Sequence, residues 1–172
     1  MSRVRGSLDI DRPVEVVFDA VADQRNEPSY NPTMTAATKV TDGPIGAGTR
    51  FEATVLSRGT PHTVTVEYTG FERPVRIASH SVMDGATVHG HVQCDPVPAG
   101  TRFSWDWEVT LSGPARFAGP LIGLIGRRRE RTIWTGLKLH LEDRTDDGAA
   151  GYPGSQLTMG DEPAREGRDR MP

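Results

Sequence analysis

The chain has 172 residues, 35% of them hydrophobic and 25% charged, and a formal net charge of −3. That length carries one domain with a core of its own, and the slightly acidic balance speaks against a nucleic-acid binder. The single cysteine, Cys94, excludes an internal disulfide framework and a cysteine-only metal site, and it fits a reducing cytosol.

In chain order, residues 3–10 alternate weakly and read as a strand. Arg12-Pro13 then starts a helix, with Pro13 suited to the first helical position and Asp11 as its cap. Val14, Val17, Phe18 and Val21 recur at helical spacing along it. RNEPSYNPTM holds two prolines and reads as a short helix or turn followed by a loop. From residue 34 to 111 the composition turns to Thr, Val and Ile, broken by Gly-Pro, Gly-Thr and Asp-Gly pairs. Strands are predicted near 34–41, 49–57, 62–71, 74–83, 86–94 and 101–111, joined by connections short enough for an antiparallel meander. MDGA at 83–86 is a hairpin signal with Asp84-Gly85 as the turn, which pairs His80 with His89. In FSWDWEVTL, Phe103, Trp105, Trp107, Val109 and Leu111 share one face, and Ser104, Asp106, Glu108 and Thr110 the other.

Residues 115–143 read as one long helix, irregular near Gly119, Pro120 and Gly123. Its greasy opening, PLIGLIG, stops at Arg127, short of the roughly 20 apolar residues a membrane-spanning helix needs. The N-terminal MSRVRGSLDIDRP lacks the apolar stretch of a signal peptide. Residues 144–172 are rich in Gly, Pro and charge and are expected to be disordered, which sets the domain at 1–143. The order is strand, two helical pieces, six strands, long helix. This predicts an α+β protein whose sheet has one greasy face, with the long helix as its cover.

Several segments carry a family likeness: IDRPVEVVFDAVAD, EPSYNPTM, GPIGAGTRFEA, ERPVRI, GTRFSWDWEV and LKLHLE. In order and spacing the chain resembles the START-like, or Bet v 1-like, superfamily with its helix-grip fold. Within it the chain is similar to the polyketide cyclase/dehydrase-like (SRPBCC) proteins. The resemblance implies a curved antiparallel sheet of about seven strands wrapped around the C-terminal helix, with two short helices after the first strand. It also implies a cavity between sheet and helix. No catalytic residue is shared across that superfamily, so none carries over and the catalytic residues stay unknown.

With that cavity assumed, its candidate ligand-binding residues are Phe18, Tyr30, Phe51, Val66, Tyr68, Ile77, Val88, Trp105, Trp107, Leu121, Leu124, Arg128 and Thr132. Two faces of the long helix compete. One broad stripe holds Phe117, Leu121, Leu124, Ile125, Thr132, Thr135 and Leu139, with Arg128 in its middle. The other line, nearly opposite, is Ile122, Ile133, Leu137 and Leu141. If the first faces the sheet, Arg128 points inward and could pair with a ligand carboxylate or enolate. If not, Arg127, Arg128, Arg129 and Arg131 form a solvated basic turn. His80, His89 and His91 cluster on one face of the hairpin in a layout similar to a three-histidine zinc site. The opposite face, with Ile77, Met83, Val88 and Val92, is greasier and is the better cavity wall, which turns the histidines to solvent and gives no metal site. Asp106 and Glu108 oppose the aromatic face and read as solvated.

The leading expectation is a cytoplasmic protein that binds a small hydrophobic, polyketide-like or lipid-like molecule in an internal cavity, with no cofactor. A second is a polyketide cyclase or dehydratase acting on a carbonyl substrate there, with an inward Arg, Tyr or His as acid–base group. A third is an interaction protein that uses the basic segment 127–131 on an anionic surface. No nucleic-acid partner and no transmembrane segment are expected, and a homodimer is left open.

Overall fold

The computed structural model describes residues 1–57, 59–113 and 119–143, without the side chains of 119–125 and 127. Seven strands form one antiparallel sheet: β1 (Ser2–Ile10), β2 (Met34–Lys39), β3 (Arg50–Ser57), β4 (Thr60–Glu72), β5 (Arg76–Met83), β6 (Ala86–Val97) and β7 (Gly100–Leu111). Their spatial order is β1-β7-β6-β5-β4-β3-β2. The β2 to β7 run is a meander, as the short connections predict, and β1 adds to the outer edge of β7. Asp84-Gly85 is the turn of the β5–β6 hairpin, with Met83 opposite Ala86 and His80 opposite His89. Gly85 takes a φ of 78°, the left-handed conformation such a two-residue turn requires.

The chain crosses from β1 at one edge to β2 at the other through α1 (Val14–Ala22) and a short 3-10 helix (Gln24–Ser29). Pro13 stands just outside α1 as its N-cap, with φ −56° and ψ 149°. Asp11 does not cap the helix: its own backbone N–H donates to Glu142 Oε1 at 2.8 Å, and the chain turns through Arg12 first. That contact ties the start of α1 to the C-terminal end of α2 (Gly119–Asp143).

Two register shifts, between Met34 and Ala36 and between Tyr68 and Gly70, interrupt the β2–β3 and β4–β5 ladders. An extra residue on one strand bends it and increases twist, and this curls the sheet around α2. Glycines opposite tryptophans shape the other half of the sheet. Gly6 pairs with Trp105, and a Cβ at Gly6 would sit 2.4 Å from the indole ring. The indole thus lies flat over β1, with its Nε1 buried and without a partner among the described residues.

The concave face carries the core. Ile10, Val17, Phe18, Phe51, Phe103 and Leu137 are fully buried. Phe103 meets Trp134 of α2 with ring centroids 4.8 Å apart, and Trp105 stands 6.0 Å from the same ring. The outward side is polar, with ion pairs Arg3–Asp106, Arg50–Glu67 and Arg102–Asp9 running across strands. No described helix is long and apolar enough to cross a membrane.

Of the two candidate faces of α2, the Ile133, Leu137 and Leu141 line packs on the sheet, joined by Trp134. Thr132 and Thr135 are exposed, and Leu139 is 54% exposed. Gly136 explains the choice of face. The helix approaches the backbone of Tyr30 so closely that a Cβ at Gly136 would lie 2.3 Å from the Tyr30 carbonyl oxygen. Only a residue without a side chain permits that approach. The irregularity expected near Gly119, Pro120 and Gly123 is absent from the backbone, which is one continuous α-helix over Gly119–Asp143. The expected disorder of 144–172 and the predicted helix start at 115–118, Phe117 included, fall outside the described residues.

Candidate ligand cavity

Between the sheet and α2 lies a cavity of about 380 Å³. Its apolar wall comes from alternate residues of the concave face: Val55 on β3, Val64 and Val66 on β4, Ile77 and Met83 on β5, Val88 and Val92 on β6, and Trp107 on β7. Val21, Met34, Ile133 and Trp134 complete it. The period-two alternation of strands places these side chains on one surface, and Ser79 and Ser81 add hydroxyls to the same face of β5.

The polar groups gather where the 3-10 helix meets α2. Gln24, Glu27 and Asn31 arrive from one side, Arg129 and Glu130 from the other, and Tyr68 from β4. Glu130 Oε2 accepts two indole hydrogen bonds, from Trp107 Nε1 at 3.0 Å and Trp134 Nε1 at 2.9 Å. These clamp the carboxyl and orient both rings along the cavity wall. Glu27 Oε1 accepts from Asn31 Nδ2 at 2.7 Å, while Asn31 Oδ1 takes the backbone N–H and hydroxyl of Thr33. Arg129 Nη2 donates to the Thr33 hydroxyl at 2.9 Å. The Tyr68 hydroxyl donates to the Ala22 carbonyl at 2.9 Å.

Burial drives the acid–base character of this end. Desolvation pushes the Glu27 carboxyl up to about 7, opposed by the Asn31 hydrogen bond, with the Glu130 charge adding to the rise and Arg129 reducing it. Burial also raises the Glu130 carboxyl above the usual carboxylate range, against the two indole bonds and Arg129. Burial raises the Tyr68 hydroxyl well above its usual value, so it stays a neutral donor. Between about pH 4.5 and 7 the folded chain therefore holds a proton on Glu27 that the unfolded chain has released, and stability falls as pH rises through that window. The ceiling is about 3–4 kcal/mol at about 1.4 kcal/mol per unit, and water in the cavity should reduce it to about 1–2 kcal/mol. Glu27→Gln removes the ionisable group. Urea unfolding should find the variant about 1–2 kcal/mol more stable than the parent at pH 8 and no more stable at pH 5. An equal gain at both pH values would show that Glu27 binds its proton equally well folded and unfolded, so that burial does not raise it.

The residues predicted from sequence divide into several groups. Val66, Tyr68, Ile77, Val88 and Trp107 line the cavity. Phe18, Phe51 and Trp105 are buried but belong to the packed core, where neighbouring rings stand against them: Phe71 by Phe18, Tyr68 by Phe51, and Phe103 and Trp134 by Trp105. Tyr30, Arg128 and Thr132 lie on a separate groove along the outer side of α2, with Pro32, Arg131 and Thr135. Arg128 is exposed, since the Ile133, Leu137 and Leu141 line turns inward and carries position 128 away from the sheet. The side chains of Leu121 and Leu124, like that of Arg127, lie outside the described residues. His80 and His89 stack with centroids 4.0 Å apart on the outer sheet face, opposite the cavity-lining residues of their strands. No group of three His, Cys, Asp or Glu suited to a metal occurs among the described residues, so His91 does not complete a three-histidine set. Cys94 is buried under the core and its thiol is pushed up to about 12, which makes it a poor nucleophile.

Sequence reasoning missed Gln24, Glu27, Asn31, Glu130 and Trp134. A signal existed for the last two: positions 130, 134, 137 and 141 recur at the three- and four-residue spacing of one helix face, and Glu130 on a buried stripe is the anomaly. Gln24, Glu27 and Asn31 had none, because a proline-containing 3-10 segment has no readable facing.

A curled antiparallel sheet closed by a C-terminal helix around a cavity defines a helix-grip protein of the START and Bet v 1 kind. The polyketide cyclase/dehydrase and lipid transport family model matches residues 1–142, and the chain belongs to that family. Solved structures share the fold at low identity. A START superfamily protein from Mycobacterium smegmatis superposes with a TM-score of 0.74 at 15% identity, over 84% of this chain and 100% of that one. The Zhui aromatase/cyclase from Streptomyces sp. R1128 gives 0.69 at 15% identity, over 86% and 98%. Ara h 8.0201 gives 0.67 at 13% identity, over 82% and 97%. No curated protein matches the chain by sequence alone at a significant level.

Proposed function

We propose that residues 1–143 form a domain that binds a small, mostly apolar molecule in the cavity between sheet and α2. The single observation that carries this reading is the cavity itself: about 380 Å³, with a mostly apolar wall and a cluster of polar side chains where the 3-10 helix meets α2. Ligand sites have this form, since apolar burial supplies affinity and a few polar groups set orientation. The buried free thiol and the charge balance fit a cytosolic setting.

Trp107 and Trp134 line the cavity, so a ligand should change their emission. Titration with a panel of medium-chain lipids and aromatic polyketide analogues should quench or shift tryptophan fluorescence and raise the melting temperature. Val66→Phe, which fills part of the apolar wall, should weaken binding at least about tenfold while the protein stays folded. A panel without effect on either readout would remove the proposal.

A second reading, a cyclase or dehydratase acting on a carbonyl chain, is favoured by one observation: a cavity carboxyl, Glu27, that titrates at about 7. A group poised there can give and take protons at neutral pH. The acid–base role then falls to Glu27 rather than to Arg128, which is exposed on the outer side of α2. Glu27→Gln should keep binding and abolish turnover of a poly-β-ketone substrate, and full turnover by the variant would end this reading.

A further inference from the structure

The hydrogen-bond inventory at the polar end of the cavity is unbalanced. Its neutral side-chain donors are engaged: both indole N–H groups on Glu130, the Asn31 amide on Glu27, the Tyr68 hydroxyl on the Ala22 carbonyl. Acceptors are left over. Gln24 Oε1 is buried and has no partner among the described residues. Its orientation is set by Tyr68, whose one proton goes to Ala22, so the hydroxyl oxygen can only accept from the Gln24 amide nitrogen that faces it. That leaves Oε1 as the free end. Among the described residues no donor reaches the second oxygen of Glu27 or of Glu130. Charge points the same way: two carboxyls stand against one guanidinium, Arg129, which is partly engaged with Thr33. A buried acceptor without a donor costs free energy, and a ligand that brings the donor recovers it.

We propose that the cavity recognises an amphipathic amine, its apolar body against Val66, Ile77 and Val92 and its ammonium group donating to Gln24 Oε1, Glu27 and Glu130. This rests on the cavity-binding reading and adds the chemistry of the ligand's head. An ammonium supplies three donors and no acceptor, the complement of what the site offers. A carboxylate head at this end would face two carboxyls, with the remaining N–H groups of Arg129 as its one charged partner and the Ser79 and Ser81 hydroxyls out on the β5 wall. The preference should depend on pH. Glu27 faces Asn31 on its own segment, Glu130 and Arg129 on α2, and Tyr68 on β4; as it takes a proton below about 7 the site loses negative charge. His62 and Asp84, which also line the cavity, come from the hairpins rather than from this polar end.

Three probes of matched chain length test this: octylamine, octanol and octanoate, titrated by tryptophan fluorescence and calorimetry against the full chain. At pH 8 octylamine should bind at least about tenfold more tightly than octanoate, the scale of one charge-assisted hydrogen bond. The ratio should shrink at pH 5.5, while octanol affinity stays constant. Glu27→Gln should remove the pH dependence of the ratio, and Gln24→Leu should weaken the amine more than the alcohol. Octanol binding with an amine no better than the carboxylate would overturn the proposal and leave the cavity reading standing. An amine preference unchanged in Glu27→Gln, Gln24→Leu and Val66→Phe would place the amine on the surface and overturn it too. Failure of all three probes to bind would overturn both.

Discussion

Phe103→Ala should cost about 3–5 kcal/mol in urea unfolding, the range for emptying a buried aromatic site. Phe103 is fully buried and stands between Trp105 and Trp134, so its ring joins β7 to α2. The two tryptophans are too large and too constrained to collapse into the space. Trp105 lies against Gly6 across the sheet, and Trp134 is tied through its indole to Glu130. The near-ultraviolet circular dichroism of the tryptophans should fall with stability. A loss below about 1.5 kcal/mol would mean that the helix shifts to refill the site, and that α2 is seated more loosely than this packing indicates.

Gly136→Val should destabilise the protein by about 3 kcal/mol, the upper part of the range for overpacking. A glycine inside a helix normally costs up to about 1 kcal/mol relative to alanine, so a substitution at an ordinary position would stabilise. Here the new Cβ meets the Tyr30 carbonyl oxygen at 2.3 Å, a backbone atom that cannot rotate away. Either α2 or the segment after the 3-10 helix must move. Both carry the polar end of the cavity, so probe binding should weaken along with stability. Gly136→Ala should show the same signs at smaller size. A stabilised alanine variant would show that the close approach of α2 to Tyr30 is absent in solution.

These two positions show how differently parts of the molecule can be read from the chain. FSWDWEVTL announces its facing by strict alternation, and Phe103 falls on the buried side as that pattern requires. The Asp-Gly turn sets the β5–β6 register, which puts His80 and His89 on one face and Val88 and Val92 on the other, and the greasier face turns inward. Gly136 carries no such signal. Its meaning depends on Tyr30, which is more than a hundred positions away and reaches the helix only after the sheet has curled.

The cavity was legible in its walls and not in its polar end. Val66, Tyr68, Ile77, Val88 and Trp107 follow from strand alternation plus the expectation of a covering helix. Arg128 was a reasonable inward candidate, because two apolar lines of α2 competed and sequence spacing could not rank them. The close approach at Gly136, with the packing of Trp134 on Phe103, turned the other line inward and left Arg128 on the outer groove.

The sequence by itself determined the order of elements, the meander, the hairpin register and the greasy concave face, because these rest on local periodicity and on turn chemistry confined to a few residues. Tertiary structure decided which face of α2 grips the sheet, which aromatics become core rather than cavity wall, and that Glu27 and Glu130 share one desolvated end. Those outcomes depend on contacts between segments far apart in the chain. The free energy of a carboxyl there is set by the groups brought around it, not by its neighbours in sequence.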